Sequence, residues 1–125
     1  MATVLMADDN PEMRLLLTGM LQQQGHMVIE AADGDDLLYW AKEENPDVIL
    51  VDLQMPKMGG FQVLETLQAD ETSKDIPVIV ISASQAPEDI SRAHELGAHG
   101  YIPKPWSAHD LASRIDWALT TKRSD

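Results

Sequence analysis

The sequence predicts an α/β domain: a five-stranded parallel sheet with helices on both faces. Three observations carry this. Strand and helix signals alternate five times over 125 residues. Two of the strands, Val48-Ile49-Leu50-Val51 and the stretch from Ile76 to Ile81, are apolar throughout, as strands buried on both faces of a parallel sheet are. The second strand, His26 to Ala31, is less uniformly apolar and suits a sheet edge, which favours the strand order 2-1-3-4-5. Consecutive parallel crossovers of this length place helices on both faces.

Each element follows from its residues. Thr3 to Ala7 reads as the first strand. Asp8-Asp9-Asn10-Pro11 ends it and opens a helix, with Pro11 at the first helical position. Met13, Leu16, Leu17, Met20 and Leu21 recur at helical spacing as one apolar stripe, and Gly25 stops the helix. After the second strand, Asp33-Gly34-Asp35-Asp36 caps a helix through Leu37, Leu38 and Ala41, which ends at Asn45-Pro46. The central strand runs to Asp52, and Met58-Gly59-Gly60 turns the chain into a third helix bearing Phe61, Val63, Leu64 and Leu67. A polar loop, residues 70–75, leads to the fourth strand, which ends at Ser82-Ala83-Ser84. Pro87 to Leu96 reads as a helix closed by Gly97, and Ala98 to Pro103 as the last strand. Ser107 to Asp110 resembles a capping box before a helix carrying Leu111, Ile115, Ala118 and Leu119. Residues 120–125 are expected to fray. Trp40 and Trp117 read as packing residues.

The chain is expected to form one domain over residues 1–125, with a core of about 3–119. Cysteine is absent, so a disulfide framework and thiolate chemistry are excluded. No apolar run approaches a membrane span, and the start has no basic segment of the signal-peptide kind, so a cytoplasmic location without membrane contact is expected. The net charge of −12 argues against nucleic acid as a direct partner, since such binding depends on Lys and Arg neutralising phosphates. It leaves room for a cation wherever carboxylates converge. His26, His94, His99 and His109 show no metal-ligand spacing.

Strand ends in a parallel sheet project to one edge, where ligands bind. The first strand ends at Asp8-Asp9, the third at Asp52, the fourth at Ser82 and the fifth at Lys104. Converging carboxylates repel one another unless a cation compensates. Hard oxygen donors select a hard ion, so Asp8, Asp9 and Asp52 describe a Mg²⁺ (or Mn²⁺) site. A carboxylate can act as a covalent nucleophile toward phosphorus. Asp52 is placed for that role, with the ion and Lys104 offsetting the charge of the incoming group. Phosphoryl transfer needs little beyond positioning and electrostatics. Ser82 can donate a hydrogen bond to a phosphoryl oxygen. Pro105 leaves the Lys104–Pro105 bond open to either isomer.

Asp8-Asp9, Asp52 within Asp-Leu-Gln-Met-Pro, Ser82 and Lys104-Pro105 together resemble the receiver domains of two-component response regulators, over nearly the whole chain. The resemblance implies a flavodoxin-like fold and phosphorylation of Asp52 by a histidine kinase or a histidine phosphotransfer protein. It implies that Asp9 and Asp52 ligate Mg²⁺ directly, Asp8 largely through water, and that the Gln54 carbonyl completes the protein ligands. Tyr101 falls where the family keeps its switch aromatic, expected to turn inward as Ser82 is drawn to the phosphoryl group. The face of the fourth helix, last strand and last helix is then the expected surface for a downstream protein or output domain. Gln54 and Ser84 fall where the family tunes phosphate lifetime. Two positions depart from the usual pattern: Ser82 stands in place of the commoner threonine, and Gly59 where an acid often precedes Gly60. The expectation is a signalling domain that catalyses only its own phosphorylation and dephosphorylation. A phosphatase with an aspartyl nucleophile would want a second acid two residues on, where this chain has Gln54. A nucleotide-binding module would want a glycine-rich turn where it has Asp8-Asp9-Asn10-Pro11. A phosphorylation-independent interaction domain is the remaining alternative.

Overall fold

Alternation along the strands divides the interior into two cores. The computed structural model describes residues 2–55 and 58–123. Five strands, β1 (Thr3–Ala7), β2 (Met27–Ala31), β3 (Val48–Asp52), β4 (Val78–Ser82) and β5 (Gly100–Pro103), pair in parallel in the order β2-β1-β3-β4-β5. Leu5, Ile49, Val51, Val78, Val80 and Tyr101 point to one face, where they meet α2 (Gly34–Glu44), α3 (Gly60–Ala69) and α4 (Pro87–Glu95). Val4, Met6, Val48, Leu50, Ile79, Ile81 and Ile102 point to the other, against α1 (Pro11–Gln23) and α5 (Ala108–Arg123). β3 and β4 are buried along their whole length, as double-sided covering requires. The less apolar β2 is at the edge. No helix among the described residues is long and apolar enough to cross a membrane.

Local chemistry sets the helix starts. The Asn10 side chain caps α1 by accepting from the Glu12 and Met13 amides, with Pro11 following it. Asp33 caps α2 through the Asp36 amide, and Asn45 ends that helix in the left-handed region at φ 45°. Ser107 Oγ accepts from the Asp110 amide at 3.0 Å, so the serine half of the expected capping box is present. Gly60 is required where it stands: a Cβ there would lie 2.6 Å from Leu53 Cα and 2.9 Å from the Asp52 carbonyl oxygen. That contact presses the start of α3 against the backbone leaving β3, and the Gly60 amide donates to the Leu53 carbonyl at 3.0 Å.

Three expectations need correction. Leu16 is 53 % exposed rather than part of the α1 stripe, which consists of Leu17 and Leu21 flanked by Met13 and Met20. At about 100° per residue, Leu16 is rotated off the face centred on Leu17. Trp117 is 49 % exposed rather than a core residue, because Leu111, Ile115 and Ala118 already define the buried face of α5. Trp40 does pack against the core, with Tyr39 edge-on at 5.0 Å. The α5 helix continues to Arg123, past the expected fraying point at residue 120. Residues 124 and 125, and Pro56 of the Asp-Leu-Gln-Met-Pro stretch, lie outside the described residues.

Candidate functional site

Four strand exits deliver the site to one edge. β1 releases Asp8 and Asp9, β3 ends on Asp52, β4 ends on Ser82, and Lys104 follows β5. The register carries them together: Asp52 pairs with Ile81, and Ser82 with Pro103. The Lys104 amide then donates to the Ser82 carbonyl at 2.8 Å, so the last strand stays paired until its lysine reaches the edge. The Lys104–Pro105 bond is cis.

At the centre is an ion-paired cluster. Lys104 Nζ donates to Asp52 Oδ2 at 2.8 Å and to Asp8 Oδ2 at 3.1 Å. The remaining carboxylate oxygens serve the backbone: Asp52 Oδ1 accepts from the Gln54 amide and Asp8 Oδ1 from the Asn10 amide, both at 2.9 Å. Asp8 and Asp52 are nearly inaccessible, at 2 % and 5 %, and Ser82 is fully buried. Asp9 is exposed, yet one oxygen from each of Asp8, Asp9 and Asp52 falls within a common 4.8 Å. Three hard oxygen donors at that spacing fit a hard divalent ion. The Lys104 ammonium already shows that this notch rewards positive charge.

The titration of these groups reflects a conflict between burial and charge. Burial pushes the Asp52 carboxyl above its ordinary value of 3.8; the Lys104 hydrogen bond, the Gln54 amide and the lysine's charge pull it back, and Asp8 adds to the rise. Burial acts to lower the Lys104 ammonium, but its bonds and charge contacts with Asp52 and Asp8 outweigh this and hold it above 10.5. The outcome is a carboxyl that burial disfavours in its charged form and Lys104 supports, so a second cation would favour the charged form further.

Ser82 and Tyr101 lie on the same face of the sheet, that of α4, one pair apart: Tyr101 pairs with Val80, two residues before Ser82. Ser82 Oγ accepts from the Ser84 amide at 3.1 Å. Ser84 in turn donates through its hydroxyl to Asp89 Oδ2 of α4 at 2.5 Å, and its carbonyl accepts from the Tyr101 hydroxyl at 2.8 Å. Neither serine caps α4, whose cap position is Ala86. Tyr101 is only 8 % exposed, so its ring already sits inward. A groove of about 430 Å³ beside it is lined by Ser84, Ile90, His94, Tyr101, Pro103 and Arg114. Gln54 is exposed at the mouth of the acidic cluster.

Two participants escape a reading of strand ends. Arg14 of α1 donates from Nη1 to the Asp8 carbonyl at 2.7 Å. Asp89, in the first turn of α4, holds Ser84. The available signal was position: Arg14 lies one turn into the helix that Asp8-Asp9 opens. Two histidines hold backbone amides at the opposite end of the sheet. Nδ1 of His26 accepts from the Ala2 amide and Nδ1 of His99 from the Val78 amide, each at 3.2 Å, and none joins the acidic cluster.

Residues 4–116 match the family described as response regulator receiver domain. The protein PilH of Pseudomonas aeruginosa is 36 % identical over 119 residues, covering 95 % of this chain and 98 % of PilH. The phosphate regulon transcriptional regulatory protein PhoB of Escherichia coli is 35 % identical over 112 residues, covering 90 % of this chain and 49 % of PhoB. The chain thus spans nearly all of the former and about half of the latter. Among solved structures, the chemotaxis response regulator CheY4 of Vibrio cholerae superposes with a TM-score of 0.89 at 31 % identity, covering 95 % of this chain and 99 % of that one. A receiver domain from Clostridium thermocellum superposes with a TM-score of 0.92 at 26 % identity, covering 98 % of each. With this fold, this acid-and-lysine edge and these relatives, the chain belongs to the response regulator receiver domains of two-component signalling.

Proposed function

We propose that residues 1–125 act as one receiver domain that accepts a phosphoryl group on Asp52 from the phosphohistidine of a histidine kinase or a histidine phosphotransfer protein. The observation that carries this reading is the Lys104 ammonium bridging Asp52 and Asp8 at 2.8 and 3.1 Å, with Asp9 beside them. A carboxylate oxygen of Asp52 forms the new O–P bond as the P–N bond to the donor imidazole breaks. The bond's electrons stay with that nitrogen, which takes up a proton. Lys104 stays with the oxygens of the transferred group, and the Ser82 hydroxyl donates to one of them. Asp8, Asp9, Asp52 and the Gln54 carbonyl would hold Mg²⁺ (or Mn²⁺), which supplies charge neutralisation for the phosphoryl oxygens. Gln54 and Ser84 flank the path of attacking water and set the lifetime of the acyl phosphate. The chain catalyses its own phosphorylation and dephosphorylation and turns over no external substrate.

The transferred group brings about −1.5 to −2 of charge. As Ser82 turns toward it, the Ser84 amide loses its acceptor. Ser84 holds both Asp89 and Tyr101, so the strain reaches α4 and β5 together. The inward Tyr101 is a conformation the fold adopts by itself. Phosphorylation therefore acts by shifting population toward one arrangement, a coupling of about 1–3 kcal/mol in typical cases. The surface that changes is the α4–β5–α5 face, where a target protein or an attached output domain docks.

Intact-mass measurement after treatment with acetyl phosphate and Mg²⁺ tests this. The expected result is one phosphoryl group on the wild-type chain, none on Asp52→Asn, and none when the metal is chelated. An adduct on both proteins, or on neither, contradicts it.

A further inference from the structure

Arg14 takes no part in the chemistry above, yet it is built into the same edge. Its side chain is 20 % exposed, and Nη1 donates to the Asp8 carbonyl at 2.7 Å, a short, charge-assisted bond. Its Nε lies 3.7 Å from Glu30 Oε1 on β2, the neighbour of β1. Asp8 is therefore held at three oxygens from three directions. The Asn10 amide takes Oδ1, Lys104 takes Oδ2 and Arg14 takes the carbonyl. The carbonyl matters beyond Asp8. It shares one rigid peptide plane with the Asp9 nitrogen, so fixing it fixes where the Asp9 Cα leaves the strand. Asp9 is exposed and has the least surrounding structure to direct it.

We propose that Arg14 is a positioning residue for the cation site: braced by Glu30, its guanidinium holds the Asp8–Asp9 peptide so that both carboxylates face Asp52. This rests on the reading that Asp8, Asp9 and Asp52 hold a divalent ion. A fork of donors is needed because one side chain must reach a carbonyl and a carboxylate in different directions, which an ammonium point charge does not reproduce. The alternative, action through charge alone, makes the opposite statement: a cation near a cation site weakens metal binding, so removing it would tighten binding and keeping the charge as lysine would leave it unchanged.

Calorimetric titration of the full chain with Mg²⁺, beside a thermal melt of each variant, separates the two. Both Arg14→Lys and Arg14→Gln are expected to bind Mg²⁺ about tenfold more weakly, the lower end of what loss of a supporting partner costs a metal site. Glu30→Gln, which leaves Arg14 in place, is expected to shift affinity the same way by less. Wild-type affinity in Arg14→Lys with tighter binding in Arg14→Gln overturns positioning in favour of charge. Lowered melting temperatures with unchanged Mg²⁺ affinity in the Arg14 variants reduce Arg14 to a structural residue and overturn it as well. Unchanged affinity in Glu30→Gln removes the brace. A wild-type chain that itself binds no Mg²⁺ overturns the reading of the site along with this inference; normal wild-type binding with unaffected variants overturns this inference alone.

Discussion

Burial works against the Asp52 carboxylate, and this has a thermodynamic consequence. Its folded-state pKa lies above the ordinary 3.8, so the folded chain holds the proton more tightly than the unfolded chain does. Linkage then makes the contribution of Asp52 to stability favourable at low pH and unfavourable as pH rises through the folded value. At neutral pH the charge is a net cost even with Lys104 beside it. Asp52→Asn keeps an oxygen acceptor for the Gln54 amide and leaves Asp8 to pair with Lys104. It is therefore expected to raise stability by about 0.5–2 kcal/mol, the size of a typical single stabilising substitution, in urea denaturation at pH 7. The gain should fade below pH 4; equal or lower stability at pH 7 would contradict this account of the site's electrostatics. Asp8, Asp9, Asp52, Ser82 and Lys104 were legible in the sequence because each terminates an apolar strand, and strand ends share one edge. Arg14 and Asp89 were not. They come from helices, where a side chain's reach depends on the helix's exact seat on the sheet and not on a period in the sequence.

Between the residues and the fold, the β4–α4 junction carries the most weight. Ser84 reaches Ser82 through its amide, α4 through its hydroxyl and β5 through its carbonyl. Ser84→Ala removes the hydroxyl's bond to Asp89 and the one it accepts from the Ala86 amide at the start of α4, a net loss of about 1 kcal/mol for each. Asp52 should still take up a phosphoryl group, with an altered lifetime, while the change in amide hydrogen exchange over residues 84–95 that accompanies it in the wild type should be lost. An unchanged exchange response in Ser84→Ala would show that α4 is reached by another route. At the opposite edge, His99 Nδ1 accepts from the Val78 amide, which needs the unprotonated nitrogen, and burial holds its pKa below 6.5. Stability contributed there is complete above the unfolded value and falls as pH drops through 6.5. His99→Asn, which keeps an acceptor but cannot titrate, should flatten the melting temperature between pH 7.5 and 5.5; an identical slope to wild type would contradict this. Element order and type were readable from the apolar runs. The outward turn of Leu16 and Trp117 was not, because a helix with more apolar positions than its buried face can hold does not declare which ones are left out.

At the scale of the whole chain, a sheet of order 2-1-3-4-5 sets strong positional constraints on an otherwise acidic molecule of net charge −12. Both cores are built largely from aliphatic side chains alternating along the strands, away from the edge where three carboxylates gather. On the proposed function, that division of labour would let Lys104 and a divalent ion make one of these acids reactive. Overall architecture was legible because alternation and strand-helix order are properties of the whole sequence. The Ser82–Ser84–Tyr101 connection was not, because each bond ties a side-chain hydroxyl to the Ser84 backbone, and no residue type announces which backbone group such a hydroxyl will meet. The central claim is that the bond to phosphorus forms at Asp52 and nowhere else. An acyl phosphate is reduced by borohydride to the corresponding alcohol, which marks the aspartate that carried it as homoserine. After phosphorylation with acetyl phosphate and Mg²⁺, borohydride reduction and peptide sequencing by tandem mass spectrometry, homoserine is expected at position 52 alone. Homoserine at Asp8, Asp9 or another aspartate, or the corresponding alcohol of a glutamate, with Asp52 intact, would contradict the account.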